Sequence, residues 1–365
     1  MIRRLYADNF RCLGNFELRP GQINLLLGGN GAGKSSLLDA LRCVRDLVVH
    51  GFPAAQLFGS TKTIWDRRDV QSFELELEAT GGIFSYRLEI QHAVGQLAGA
   101  QRPQIKSESL DLDAKPLFRY ADGQVRLFDD DHSPGAQFPF KSERSFLPNL
   151  ESQNGKLRAF KTFLAGINVF QLNPFALEPA SQQDHPFLLS SGSNFASWLR
   201  YLSEERPRAK ADCEERLAEI ISGFQSFRFQ TAGDRKSLLV DFAREAGEGY
   251  YLGLNHLSEG HRVLCLLYAI VYGLVGSASV LCFDEPENFI SLPEVQPWLQ
   301  CLRDLVEERA GQVLLISHHP EVIDYLAADT VFRFERPTGD LVRVGEWQPD
   351  PTKILRPSEI LARER

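Results

Sequence analysis

Residues 28–36 read GGNGAGKSS, and the fold class can be inferred from this glycine-rich segment. Its spacing, G-x-x-x-x-G-K-S, is that of a Walker A phosphate-binding loop. The loop follows a short apolar run, QINLLL at 22–27, and precedes residues 34–50, whose apolar positions recur at helical spacing. A buried strand, a glycine loop and a helix in this order predict an α/β fold and make an ordinary glycine turn a poor alternative.

The loop residues suit the binding of a nucleoside triphosphate. Glycines let backbone N–H groups wrap phosphates, and the helix N-terminus adds further N–H groups and a positive dipole end. Lys34 would bring a positive charge to the β and γ phosphates, and the Ser35 hydroxyl would coordinate Mg²⁺. We therefore predict ATP and Mg²⁺ as ligands, held by Gly28, Gly29, Asn30, Gly31, Ala32, Gly33, Lys34, Ser35 and Ser36.

A second motif lies at residues 280–288, VLCFDEPEN. An apolar strand that ends in two acids is a Walker B pattern. We predict that Asp284 holds the Mg²⁺ through water and that Glu285 orients and deprotonates the attacking water. The alternative is a pair of surface carboxylates at a strand end, which four preceding apolar residues make a weak reading.

Two further segments come in the order that such a site requires. In VLLISHHP at 313–320, His318 is positioned to sense the γ-phosphate, with His319 as the alternative. In HLSEGHR at 256–262, Ser258 can cap the helix that follows, and its hydroxyl and that helix N-terminus can together hold a phosphate. Each of these matches is weak alone, and the order of all four motifs supports them.

With these motifs in place, the chain resembles ABC-type ATPase heads of the RecF/SMC/OLD-like branch, in particular the stand-alone AAA-type ATPases of bacterial genomes. The likeness extends to the opening IRRLYADNFRCLGNFEL at 2–18 and to LSSGSNFASWLRYL at 189–202. The signature loop of that branch is usually written LSGGQ. Ser258 and Gly260 match it, whereas Glu259 and His261 depart from it.

The resemblance implies a head-to-tail homodimer with two ATP molecules between the Walker A loop of one subunit and the Ser258 segment of the other. It also implies a Q-loop glutamine near the metal, which we assign to Gln171 in VFQLNP. Arg11 would approach the nucleotide from the N-terminal segment. An ordinary polar residue at a strand end and a solvated arginine in a turn are the alternatives for these two positions.

The expected fold class is α/β, a P-loop NTPase built as an ABC-ATPase head with a mixed sheet, an antiparallel β-layer and an inserted helical lobe. Hairpins around 81–82 and 122–123 predict the β-layer, and 95–103 and 129–140 are expected to be loops. We expect the domains to be a nucleotide-binding lobe at 1–180 and 276–350, a helical signature lobe at 181–275 and a tail at 351–365.

Composition limits the partners. The net charge of −8 argues against a generally basic nucleic-acid binder, although a local basic groove stays open. Six scattered cysteines and an N-terminus without an apolar signal run indicate a cytoplasmic protein. The most apolar stretch, 263–275, is too short to cross a bilayer, so no membrane partner is expected.

Two functions stay open at this point. One is an ATPase that dimerises around ATP as a switch in DNA repair or anti-phage defence. The other is a nucleotide-gated scaffold that holds and releases a separate effector. The residues after His318 are too few for a Toprim domain, so we expect any nuclease or Toprim-like effector on another chain. DNA contact has only short basic clusters in its favour, at 67–68, 141–144 and 156–161.

Overall fold

A computed structural model of the chain describes residues 1–79, 81–92, 102–150, 154–244, 246–276, 279–349 and 355–363. Most of the expected loop at 95–103 and both ends of the expected tail at 351–365 lie outside these residues. The chain divides into two compact units. Unit 1 comprises Met1–Asn168, Ala278–Val280 and Asp329–Gln348, and unit 2 comprises Val169–Ser277, Leu281–Ala328 and Pro349–Arg365. The lobe boundaries expected from the sequence stay a prediction.

The described strands are, in chain order, β1 (Ile2–Asp8), β2 (Phe16–Leu18), β3 (Ile23–Leu27), β4 (Val70–Ala79), β5 (Gly82–Gln91), β6 (Gln104–Leu112), β7 (Lys115–Ala121), β8 (Gln124–Phe128), β9 (Pro134–Pro139), β10 (Ile167–Phe170), β11 (Ala180–Ser181), β12 (Phe224–Ala232), β13 (Arg235–Phe242), β14 (Tyr250–Gly253), β15 (Val280–Asp284), β16 (Gln312–Ile316), β17 (Thr330–Glu335) and β18 (Arg343–Glu346). The described α-helices are α1 (Lys34–Val48), α2 (Ala54–Phe58), α3 (Gly155–Ala165), α4 (Phe195–Glu205), α5 (Pro207–Ile220), α6 (Glu259–Leu274), α7 (Leu292–Glu308), α8 (Pro320–Leu326) and α9 (Pro357–Arg363).

Unit 1 contains an eight-stranded sheet in the order β2-β1-β4-β5-β6-β7-β8-β9, whose neighbouring strands are antiparallel. Side chains alternate between buried and more exposed positions along β4 and β5, as expected for a sheet with one covered face. Helix α3 packs on the covered face, where the Phe160 ring lies 5.7 Å from Phe84 and 5.5 Å from Tyr86 between centroids. This sheet is the antiparallel β-layer that the sequence predicts.

The same unit positions the Walker A loop. All five residues of β3 are buried, and β3 pairs in parallel with β17, which in turn forms an antiparallel hairpin with β18. A Cβ on Gly33 (φ 100°) would lie 2.5 Å from Val342 Cγ2, and one on Gly28 (φ 145°) would lie 2.3 Å from the Phe334 carbonyl oxygen. The loop backbone therefore packs directly against the β17–β18 hairpin, and positions 28 and 33 accept only glycine.

Unit 2 carries a small sheet in the order β11-β13-β12, with β14 paired to β13, and the neighbouring strands β15 and β16. Helix α6 is buried at ten of its sixteen positions, which makes it a core helix. Gly273 on α6 lets the helix approach α4, because a Cβ there would lie 3.1 Å from side-chain atoms of Trp198 and Leu202. Within the described parts of the chain, every helix is too short or too polar to span a bilayer.

The structure corrects the expected loop at 129–140, which contains β9. This strand lies at the edge of the sheet with nearly all its residues exposed, so the alternation that reveals a half-buried strand is missing. The sequence also does not predict β6. In β6 the inward-facing position 108 is a glutamate, which breaks the apolar pattern of the strand.

Glu108 is a carboxyl group in the core of unit 1. Its side chain is 1% exposed, and Oε1 accepts hydrogen bonds from the Tyr86 hydroxyl and the Ser145 hydroxyl, each at 2.8 Å. Burial raises the pKa of Glu108 from 4.5 to about 7. The folded chain therefore holds this proton more tightly than the unfolded chain does.

This proton makes stability depend on pH. Its contribution is complete below the unfolded pKa of 4.5 and is lost as pH rises through about 7, and the shift corresponds to roughly 3 kcal/mol. We expect Glu108→Gln, which stays neutral and can accept both hydrogen bonds, to reduce the fall in melting temperature between pH 5.5 and pH 8.5. Glu143→Gln, at an exposed carboxyl, is the control. Identical pH profiles for wild type and Glu108→Gln would contradict the assignment.

Candidate functional site

The Walker A loop (residues 28–36) joins the carboxyl end of β3 to the N-terminus of α1. Lys34, the first residue of α1, is buried, and its Nζ donates to the carbonyl oxygens of Gly28 at 2.6 Å and Gly29 at 3.1 Å. In the described part of the chain no side chain caps α1, and its first turn carries no acid. A cationic side chain beside a helix N-terminus without an acidic cap favours an anion such as a phosphate.

The remaining loop residues divide into an exposed rim and an anchored base. Gly29, Asn30, Gly31 and Ser35 are exposed. Ser36 is half-buried and faces Cys12, whose Sγ lies 3.6 Å from the Ser36 hydroxyl oxygen. The exposed Ser35 hydroxyl fits the predicted role of metal ligand.

The predicted residue Arg11 lies in the same unit. It adopts φ 52°, its backbone N–H donates to the Thr61 carbonyl oxygen at 2.6 Å, and its Nη1 lies 2.5 Å from Asp39 Oδ2 on α1. The ion pair connects Arg11 to the helix that begins at Lys34, and the side chain is 41% exposed. Its approach to a nucleotide stays a prediction.

The acidic segment (residues 284–288) lies in unit 2 at the end of β15. The four apolar residues of β15 are buried, and Asp284, the last residue of the strand, is partly exposed. Glu285 adopts φ 48°, in the left-handed region that a residue with a side chain rarely occupies, and its N–H donates to the Ile316 carbonyl oxygen at 3.0 Å. Such strained residues cluster at functional sites.

Two polar side chains of the described residues lie near the Glu285 carboxylate. The Asn288 amide donates to its Oε2 at 3.0 Å, and His318 Nε2 lies 3.7 Å from its Oε1. His319 instead caps α8, where its Nδ1 accepts the Glu321 N–H at 3.2 Å. Of the two histidines, His318 is therefore the one that faces the carboxylate.

Sequence reasoning missed a second polar pair beside this cluster. Glu287 is 4% exposed and Ser317 is fully buried, and the Ser317 hydroxyl donates to Glu287 Oε1. Burial, followed by the charges of the nearby acids, raises the pKa of Glu287 to about 7, while the hydrogen bond from Ser317 acts in the opposite direction. Both residues stand within the quoted motifs, but nothing in their spacing signals that they are buried together.

The signature segment (residues 256–262) begins α6. Ser258 is the N-cap, its hydroxyl accepts the His261 N–H at 3.2 Å, and it is exposed. Gly260 is closely packed, because a Cβ there would lie 2.9 Å from the Phe289 carbonyl oxygen. Arg262 holds the segment from inside by donating to the carbonyl oxygens of Leu257, at 2.9 Å, and Asn255, at 2.8 Å.

Gln171 directly follows β10 and is exposed. Its backbone N–H donates to the Ser190 carbonyl oxygen at 2.9 Å. Three residues later, the Pro174 carbonyl oxygen accepts a hydrogen bond from Arg262 at 3.2 Å, which ties this stretch to the signature segment. The metal contact predicted for Gln171 stays a prediction.

Comparison with known proteins gives the family. A family model described as "AAA domain, putative AbiEii toxin, Type IV TA system" matches residues 107–324, which include the signature segment, the acidic segment and His318. A second, described as "AAA domain", matches residues 4–55, which include the Walker A loop.

Individual relatives match over short stretches. Protein ea59 of Escherichia phage lambda is 28% identical over 83 residues, which are 23% of this chain and 16% of ea59. The OLD nuclease of Thermus scotoductus is 43% identical over 44 residues, which are 12% of this chain and 8% of that nuclease. Among solved structures, the SMC head domain from Thermotoga maritima matches at 13% identity with a TM-score of 0.48, over 95% of this chain and 99% of that domain.

The first family model covers well over half of the chain. The protein therefore belongs to this family of AAA-domain ATPases, with a mixed α/β P-loop fold.

Proposed function

We propose that the chain binds ATP with Mg²⁺ at the Walker A loop and hydrolyses it, and that ATP joins two copies head to tail. The observation that carries hydrolysis is the strained Glu285 at the end of buried β15, with Asn288 and His318 at its carboxylate. A backbone φ of 48° costs free energy at any residue with a side chain. A carboxylate with only a structural role would not need that conformation, beside a histidine and directly after an aspartate.

Each residue has a defined task in this proposal. Lys34 and the backbone N–H groups of α1 hold the phosphates. Ser35, Asp284 and Gln171 are the residues that would hold Mg²⁺, which supplies positive charge to the phosphates. Glu285 accepts the proton of the attacking water, and His318 reads the γ-phosphate.

Lys34→Ala tests the binding half of the proposal. Loss of charge-assisted hydrogen bonds, worth roughly 1.5–3 kcal/mol, should weaken ATP binding about tenfold or more. Equilibrium binding of a fluorescent ATP analogue measures this. Lys115→Ala, at an exposed lysine of β7, is the control and should bind as wild type does. Unchanged affinity in Lys34→Ala would remove the basis for the Walker A assignment.

Glu285→Gln tests hydrolysis and dimerisation together. Removing the base should slow ATP turnover by about 10²–10⁴-fold while binding persists, so a dimer should accumulate with ATP. Sedimentation with and without ATP measures the dimer. A variant that stays monomeric with ATP bound, or a dimer that ignores nucleotide, contradicts the head-to-tail model.

Ser258 should contribute to that dimer in trans. Within the Glu285→Gln background, Ser258→Ala should weaken ATP-dependent dimerisation. Asn154→Ala is the matched control, because it removes the side-chain cap of another helix, α3, where the Asn154 side chain accepts the Leu157 N–H. Equal dimerisation by both variants would argue against a role for Ser258.

We propose that the dimer acts as a switch in a DNA-linked process, repair or anti-phage defence. The alternative is a nucleotide-gated scaffold for a separate nuclease or toxin. One observation supports that alternative, since two basic side chains of the predicted clusters make contacts within the chain. Arg68 pairs with Asp8 at 2.6 Å, and Lys161 donates to the Pro148 carbonyl oxygen at 3.0 Å.

A mobility-shift titration of duplex DNA at two salt concentrations separates these two functions. Binding that weakens steeply with salt supports direct DNA contact. No binding at low salt, with ATP present to assemble the dimer, supports the scaffold.

A further inference from the structure

The buried pair Glu287–Ser317 connects the two segments that carry the proposed catalytic groups. Glu287 lies two residues after Glu285, and Ser317 directly precedes His318. The Ser317 hydroxyl donates to Glu287 Oε1 and accepts the His319 N–H at 3.0 Å. One hydroxyl thus fixes the Glu287 carboxylate of the acidic segment and the backbone of the histidine segment (residues 317–319).

A second link runs beside it. The Glu285 N–H donates to the Ile316 carbonyl oxygen at 3.0 Å, so the same two segments are also joined through their backbones. These links flank the 3.7 Å approach between His318 Nε2 and Glu285 Oε1. A residue at φ 48° persists only where its surroundings fix it, and here one link is made by the Glu285 N–H itself and the other by Glu287, two residues later.

Burial of the Glu287 carboxyl group is energetically unfavourable for a residue that only fills space. A buried carboxyl group costs free energy unless it is hydrogen-bonded, and among the described residues Glu287 Oε2 has no hydrogen-bond partner. An apolar side chain of similar size would avoid that cost. The placement of the carboxyl between the two segments therefore points to a task in orienting them.

We propose that Glu287 and Ser317 are positioning residues for ATP hydrolysis, which hold Glu285 and His318 in their working orientation. This inference rests on the proposed function, because it assigns the pair to hydrolysis by Glu285. Both residues lie outside the Walker A loop, to which the proposal assigns ATP binding, so their removal should change turnover and leave ATP binding nearly intact.

Ser317→Ala, Glu287→Ala and Glu287→Gln in the full chain test the proposal, with kcat, KM and ATP affinity measured well below each melting temperature. Ser317→Ala and Glu287→Ala should lower kcat about tenfold or more, since small misplacements of catalytic groups have large effects, while ATP affinity changes less than about twofold. Glu287→Gln keeps an oxygen that accepts the Ser317 hydroxyl, so it should retain most of the wild-type kcat.

The chain offers a matched control in Ser145→Ala. It removes a hydrogen bond of the same kind, from a buried serine to the buried Glu108 in the sheet of unit 1. It should lower the melting temperature without lowering kcat. If Ser317→Ala behaves in the same way, the pair is structural only and the proposal is wrong.

Failure of the proposed function gives a different result. If wild type shows no ATP turnover, or if Glu285→Gln turns over ATP as fast as wild type, hydrolysis by Glu285 is wrong and the positioning role falls with it. If Glu285→Gln is slow and Ser317→Ala is as fast as wild type, only the positioning role is overturned. Should Glu287→Ala not fold, Ser317→Ala decides alone.

Discussion

No space is left for a side chain at Gly33, and this close packing fixes the position of the Walker A loop. The residue ends the loop in a left-handed conformation, with Val342 Cγ2 2.5 Å and Cys12 Sγ 3.1 Å from where a Cβ would lie. The N-terminus of α1, which begins at Lys34, therefore packs against the side chains of Cys12 and Val342. The parallel pairing of β3 with β17 brings the Val342 hairpin to this position.

This dependence explains what could be predicted from the sequence. The Walker A spacing, the apolar run before it and the helical period after it are local, so β3, the loop and α1 follow from residues 22–50. The support from Val342 and Phe334 is made by residues some 300 positions later and leaves no local pattern. For the same reason β9, an exposed edge strand bounded by Pro134 and Pro139, could not be told from a loop.

The acidic and histidine segments show the same division. Asp284, Glu285 and His318 could be proposed from motif order, because Asp284 and Glu285 stand at the end of β15 and His318 comes two residues after β16. The sequence leaves His318 and His319 as alternatives. In the structure His319 caps α8 by accepting the Glu321 N–H, and His318 Nε2 lies 3.7 Å from Glu285 Oε1, while the role of either histidine stays a prediction. The left-handed conformation of Glu285 also has no signal in the sequence, and its N–H bonds a residue 31 positions away, Ile316. Motifs therefore propose the groups, and tertiary contacts decide their orientation.

The two buried glutamates show why burial alone does not assign a task. Glu108 and Glu287 are almost equally inaccessible, each accepts a hydrogen bond from a buried serine, and burial raises the pKa of each to about 7. Their partners differ. Glu108 also receives the Tyr86 hydroxyl from the neighbouring strand, so its bonds join parts of one framework.

Glu287 has a different setting, because the charges of Asp284 and Glu285 act on it and its serine adjoins His318. A third carboxyl group beside two others is electrostatically unfavourable. A hydrogen bond that only stabilises the fold would cost less free energy at a site without those charges. The position of Glu287 is therefore better explained by the orientation of its neighbours than by the stability of the fold.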